Sequence, residues 1–236
     1  MAARPNASSH PSRRSIGIAF GVAVVAAAAL VAVALLSRKD NAPVPVATPA
    51  ANLDGIPQSG RVLGFQRAKV TLVEFADLQC PGCRYYALDI LPTVETKYVR
   101  TGKVKNEYHA FPFIGNDSVQ GARFVLAAGF QGKLWQLHEA LYRHQGAENS
   151  GWLSDDLVRQ LAGQISGLDV HRLFRDAESA KVTSMINSDL RQVQAHGIDQ
   201  TPSFLVQVGD AAPYPLTSLS LDVESFRRAL DDALRG

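Results

Sequence analysis

The sequence predicts an α/β fold with a long helical insertion, preceded by one apolar segment of membrane-spanning length. Three observations predict it. Residues 69–75 (KVTLVEF) form a short, β-branched, nearly continuous apolar run, the pattern of a strand buried on both faces. Directly after it, apolar residues recur at helical spacing over 84–100, at Ala87, Leu88, Leu91, Val94 and Tyr98. Finally, about 80 residues of helical periodicity separate two strand-like runs, far more than a minimal crossover between strands needs.

At the N-terminus, residues 1–15 are polar and basic (Arg4, Arg13, Arg14) and are expected to form a cytoplasmic tail without structure. Residues 16–36 carry no charge or strong polar group and are long enough to cross a bilayer. A cleaved signal peptide is the rival reading, because Ala32-Val33-Ala34 resembles a small-residue cleavage site; the length of the apolar run favours an uncleaved anchor. Residues 37–60 contain Pro43, Pro45, Pro49 and Pro57 among alanines and show no period, so a semi-stiff linker is expected. Five of the 24 Lys/Arg and two of the 22 Asp/Glu lie within residues 1–60, leaving 19 against 20 beyond them. A part so nearly neutral gives no reason to expect a nucleic-acid partner.

Residues 61–236 are expected to form the folded domain, with 46% hydrophobic content in the chain to fill a core. Arg61 to Phe65 is a candidate first strand. Within the central strand Glu74 is the anomaly, an acid among apolar neighbours. It is either an exposed or salt-bridged edge residue or a buried carboxyl whose pKa rises by desolvation.

The only two cysteines of the chain, Cys80 and Cys83, follow this strand at its junction with a helix. Pro81 suits the first helical turn, where a missing N–H costs nothing. Cys80 then sits at the helix N-terminus, a setting that favours the thiolate, with Cys83 one turn later on the same face. A structural disulfide closing so small a loop would restrict the unfolded chain little. A zinc site needs about four ligands, and the six histidines offer no paired spacing. Haem attachment needs His after the second Cys, where Arg84 stands. Redox chemistry is the reading that remains ahead.

Pro92 falls inside the helix and should kink it, and Thr101-Gly102 should end it with a left-handed glycine. Val104 to Phe111 reads as the next strand; its His109 is assigned no role. The helical insertion, about 115–196, carries apolar stripes and start signals at Ser154-Asp155-Asp156 and Asp169. His138 and His144, six apart, are expected on the helix surface, while Trp135 and Trp152 are expected in the core. Thr201-Pro202-Ser203 opens another strand to Val208, Pro213 to Thr217 suggests a hairpin strand, and Leu221 to Leu234 a closing amphipathic helix.

The motif FADLQCPGC, followed by Phe111-Pro112-Phe113, Gly132-Lys133-Leu134-Trp135, Asn149-Ser150-Gly151-Trp152-Leu153 and Gly197-Ile198-Asp199-Gln200-Thr201-Pro202-Ser203-Phe204, resembles the DsbA-like thioredoxin family, in particular its membrane-anchored bacterial branch. The resemblance runs from about Arg61 to the C-terminus. It implies a thioredoxin-like fold, a Cys80–Cys83 redox disulfide with Cys80 bonded to substrate, and Glu74 as a buried acid behind Cys83. It also implies a cis peptide at Pro202 facing the cysteines, with Thr201 pairing a strand-like substrate segment. No metal and no organic cofactor are implied. The expected partners are thiol-containing exported proteins and a membrane or external redox partner that resets the disulfide. The expected location is the cell membrane, single-pass, with the catalytic domain extracytoplasmic, because disulfides persist outside the cytosol. An oxidase is expected first. An extracytoplasmic reductase or isomerase is the alternative within that class, since Pro81-Gly82 lacks the His of strongly oxidising relatives. A non-enzymatic, membrane-tethered binding domain is the alternative outside it.

Overall fold

The computed structural model describes residues 53–216 and 219–236. The expected tail at 1–15, the apolar segment at 16–36 and most of the linker lie outside the described residues, among which no helix is long and apolar enough to cross a membrane.

The sheet has six strands in the order β1-β2-β4-β3-β5-β6. The hairpin β1 (Gln58–Ser59) and β2 (Val62–Leu63) is antiparallel and turns through Gly60, whose φ of 59° falls in the left-handed region glycine tolerates. The expected strand from Arg61 to Phe65 is thus corrected to a short strand paired with a still earlier one. The fold also begins before residue 61. Leu53 and Ile56, at the end of the expected linker, are buried in the core because each supplies an apolar side chain to it.

β3 (Val70–Ala76) is central and buried along its whole length, parallel to β4 (Val104–Ala110) and antiparallel to β5 (Ser203–Val208). β6 (Tyr214–Pro215) closes the far edge, as the hairpin signal predicts. Because side chains alternate across a strand, Val70, Leu72 and Ala76 join the main core with Tyr108 and Phe204 of the neighbouring strands. Val73 and Phe75 point the other way and pack with Leu205 and Val193.

The helix after the cysteine motif, α1, covers residues 81–99. It begins as an α-helix at Pro81–Tyr85, widens to a π turn at Tyr86–Ile90, returns to α at Leu91–Val94 and widens again at Glu95–Val99. The helix therefore runs on through Pro92. The wide turn before it accommodates a residue that has no N–H to give to the preceding turn. Gly102, at φ 75°, follows it as predicted.

The insertion comprises α2 (Asn116–Gly129), α3 (Leu134–Arg143), α4 (Asp155–Ala162), α5 (Val170–Ala177) and α6 (Ala180–Ala195). The start signals act as expected: Ser154 Oγ accepts from the N–H of Leu157, and Asp169 from that of Arg172. α7 (Val223–Arg235) closes the chain, with Phe226 and Leu230 fully buried. The expected surface position of His138 is corrected: it is 1% exposed, ringed by Tyr108, Trp135 and Tyr142. Spacing between two histidines says which faces differ, and only the packing of α3 says which face is inside.

Candidate active site

Cys80 occupies the N-cap position of α1, with an extended backbone (φ −72°, ψ 122°) and Pro81 following at the start of the helix. Its carbonyl accepts the N–H of Arg84, the first bond of the helix. Cys80 is 8% exposed and Cys83 is fully buried, and both are free thiols.

The two sulfurs are electrically unlike. The Cys80 thiol is lowered from its ordinary 9.0 to about 6. A hydrogen bond from the Cys83 side chain is the largest lowering cause, ahead of Thr201 and the backbone N–H groups of Cys83 and Gly82, while burial opposes them. The helix N-terminus thus contributes, but its donors come second to the partner thiol. Burial pushes the Cys83 thiol well up, and the nearby charges of Cys80 and Glu74 push the same way.

Glu74 stands in the middle of the central strand, in register with Tyr108 on one side and Phe204 on the other. It is 1% exposed, so the reading as an edge residue is overturned. Neither of its carboxyl oxygens has a hydrogen-bond partner among the described residues. Burial, then the charge of Cys80, raises its pKa from 4.5 to about 8.

On the opposite wall, the Thr201–Pro202 peptide is cis. The Cys80 thiol donates to the carbonyl oxygen of Thr201 at 3.2 Å. Pro202 also crosses close over Gly82. A Cβ built on Gly82 would lie 3.1 Å from Pro202 Cδ and 3.7 Å from Cys80 Sγ, so a residue without a side chain lets the two loops meet. A groove of about 400 Å³ runs beside this junction, lined by Gln200, Thr201 and Pro202 and also by Leu216, Leu219 and Leu221. The structure thus brings together all five residues singled out from the sequence: Glu74, Cys80, Cys83, Thr201 and Pro202.

Several supporting groups were not visible in the sequence. Asp77, 1% exposed, accepts from the backbone N–H of Gln79 (2.9 Å), Phe113 (2.9 Å) and Ile114 (3.1 Å), tying the FPF loop to the cysteine loop. The end of α3 clamps the same loop. Tyr142 Oη donates to the Asp77 carbonyl, and the Gln145 amide donates to the carbonyls of Leu78 and Cys80. Arg84 in turn donates to the Tyr142 carbonyl. Asp77 lies within the quoted motif, but nothing local marked it as a clamp; Tyr142 and Gln145 lie more than 60 residues away with no local signal. Among the described residues no cluster of three or more His, Cys, Asp or Glu is arranged to hold a metal ion.

Residues 57–232 match the family model described as Thioredoxin. Over 224 residues the chain is 27% identical to the probable disulfide bond formation protein D of Bacillus cereus, covering 94% of this chain and 96% of that one. The crystal structure of oxidised BdbD from Bacillus subtilis superposes with a TM-score of 0.66 at 25% identity, covering 77% of this chain and 97% of that one. A thioredoxin-like oxidoreductase from Silicibacter pomeroyi superposes with a TM-score of 0.59 at 32% identity, covering 74% and 92%.

Proposed function

Given that the chain belongs to the thioredoxin family, in its DsbA-like branch, we propose that it introduces disulfides into exported proteins through Cys80 and Cys83. The coarser activity, thiol–disulfide oxidoreduction, is the chemistry of that branch. The observation that carries the finer reading is the inequality of the two sulfurs: one acidic at a helix start beside a groove, the other buried and basic.

In the oxidised enzyme a client thiolate attacks the Cys80 sulfur. A client–Cys80 bond forms, the Cys80–Cys83 bond breaks, and Cys83 leaves with the electron pair. Cys83 holds its proton strongly, so it takes one from Glu74, which lies close enough for its charge to act on Cys83. A second client thiolate then attacks the client sulfur of the mixed disulfide and releases Cys80 as its stabilised thiolate. The client loses two electrons and the enzyme gains them, so a membrane or external oxidant must restore the disulfide. An extended client segment pairing with the Thr201 backbone would bring its sulfur to Cys80, with the leucine wall of the groove receiving its side chains. The apolar run at 16–36 supports a single-pass anchor with this domain outside the cytosol, where the product disulfides persist.

A reductase or isomerase is the second reading. Pro81-Gly82 places no side chain able to donate to the Cys80 thiolate, and a value of about 6 lies in the upper part of the range of about 3.5–7.5 for activated cysteines. Equilibration with glutathione separates the two. An oxidase stands well above a potential of roughly −270 mV, the thioredoxin value, and a result near that figure overturns the oxidase reading. With a client that carries a disulfide, Cys83→Ser should accumulate a mixed disulfide on Cys80, whose thiolate attacks the client disulfide and releases one client thiolate, and Cys80→Ser should be inactive. Full function in Cys80→Ser would point to a binding domain instead.

A further inference from the structure

Glu74 raises a problem of proton supply. Its carboxyl is buried, has no hydrogen-bond partner among the described residues and yet must regain a proton each time it gives one to Cys83. Buried polar groups are normally paired, so unpaired ones ask for an explanation. Glu74 is not alone in this. Tyr108, its register partner on the same face of the sheet, has a buried hydroxyl without a partner among the described residues. Next to Tyr108 lies His138, with ring centroids 5.3 Å apart and planes at 75°, and its Nε2 is likewise buried and unpartnered.

Beyond His138 the polar groups continue outward. His138 lines a narrow cleft of about 10 Å³ together with Glu95 of α1 and Glu139 of α3. A cleft of this size is about what one water centre requires. Burial and the neighbouring Glu139 raise Glu95 to about 8, close to Glu74, so both carboxyls exchange protons in the same pH range. Glu139 is bonded to Arg143, whose side chain is 36% exposed, so the far end of the series reaches solvent. His138 itself stays neutral, because burial drops its pKa to about 3. A neutral imidazole accepts at one ring nitrogen while donating from the other and can pass a proton by exchanging tautomers.

We propose that Tyr108 and His138 form a buried proton relay joining Glu74, behind the cysteines, to the Glu95–Glu139 cleft between α1 and α3. The inference rests on the exchange reaction proposed above. When Cys83 leaves as a thiolate, the Glu74 proton moves to it, giving a thiol and a carboxylate. One proton then enters at the cleft, one leaves His138 toward Tyr108, and the Tyr108 hydroxyl passes one to Glu74; each hop runs through a bridging water, because none of the three groups is in direct hydrogen-bond contact with another. The net event is uptake of one proton from solvent with no change of oxidation state. Reoxidation runs the series backwards. Neither residue touches the reacting sulfurs; both act through Glu74.

The test uses the full chain. Its disulfide is reduced by dithiothreitol in a stopped-flow instrument, with a pH indicator following protons and tryptophan fluorescence following the sulfurs. Tyr108→Phe removes only a hydroxyl that has no hydrogen-bond partner among the described residues, and His138→Phe keeps an aromatic ring in the aromatic cage. Each should slow proton exchange at least fivefold while leaving the pH midpoint of Cys80 alkylation where it was. In a Glu74→Gln background neither should have any further effect, because the proton they serve is gone. Equal slowing in both backgrounds would mark a packing defect and overturn the relay. An unchanged rate in Tyr108→Phe overturns it too, even if His138→Phe does not fold. Absence of disulfide exchange in the unmutated chain would instead defeat the functional reading, so the two failures are distinct.

Discussion

The Cys80 sulfur lies 3.2 Å from the carbonyl oxygen of Thr201, a residue 121 positions further along the chain. The sheet explains the meeting. Cys80 follows the end of β3 and Thr201 precedes the start of β5. Those strands are antiparallel neighbours, with Phe75 opposite Ser203, so both loops emerge at one edge. The long helical insertion leaves and returns between them without disturbing that register.

The acidic Cys80 should be visible by alkylation. In the reduced protein, its reaction with iodoacetamide is expected to rise with pH about a midpoint near 6, while Cys83 reacts only after unfolding. The sign for stability follows from the lowered value. The gain of the reduced form is complete above the ordinary 9.0 and is lost as pH falls through about 6. The disulfide form has no such contribution. The melting temperature of the reduced protein relative to the oxidised one should therefore fall between pH 9 and pH 6. A flat difference would contradict the lowered thiol.

Glu74 should show the opposite linkage. An unfolded chain ionises it from about 4.5 upward while the folded chain holds the proton until about 8, so stability drains away across that window as pH rises. Glu74→Gln does not titrate. It should match the unmutated protein near pH 4 and exceed it above pH 8 by on the order of 5 kcal/mol, at about 1.4 kcal/mol for each pH unit of displacement. Denaturant titrations at the two extremes measure this. The same substitution should slow the step in which Cys83 leaves.

Asp77 should matter for stability out of proportion to its size. Asp77→Ala would leave three backbone N–H groups, those of Gln79, Phe113 and Ile114, without their acceptor. A loss of roughly 3 kcal/mol in urea denaturation is expected. Asp77→Asn retains one acceptor oxygen and should lose clearly less. Equal losses would mean that the loops are held by packing and not by this carboxylate.

The sequence by itself determined the long strands, several of the helix starts and the position of the cysteine pair, because each of these is written in local patterns. The apolar run of β3 is continuous, Ser154 and Asp169 offer cap oxygens at the right offset, and Cys80 and Cys83 share one helical turn with Pro81. Even Glu74 stood out by its contrast with the strand around it. The tertiary structure alone decided what surrounds those features. Two-residue strands such as β1 and β2 carry too little pattern to be read; β2 exists because β4 offers it an edge, and β1 because β2 does. Whether His138 faces water or an aromatic cage depends on which side of α3 meets the sheet. The clamps from Tyr142 and Gln145 join residues dozens of positions apart, as does the packing of Tyr108 against His138 behind Glu74. Local periodicity reports only how neighbours along the chain share a face; proton paths and loop clamps depend on which faces then come together.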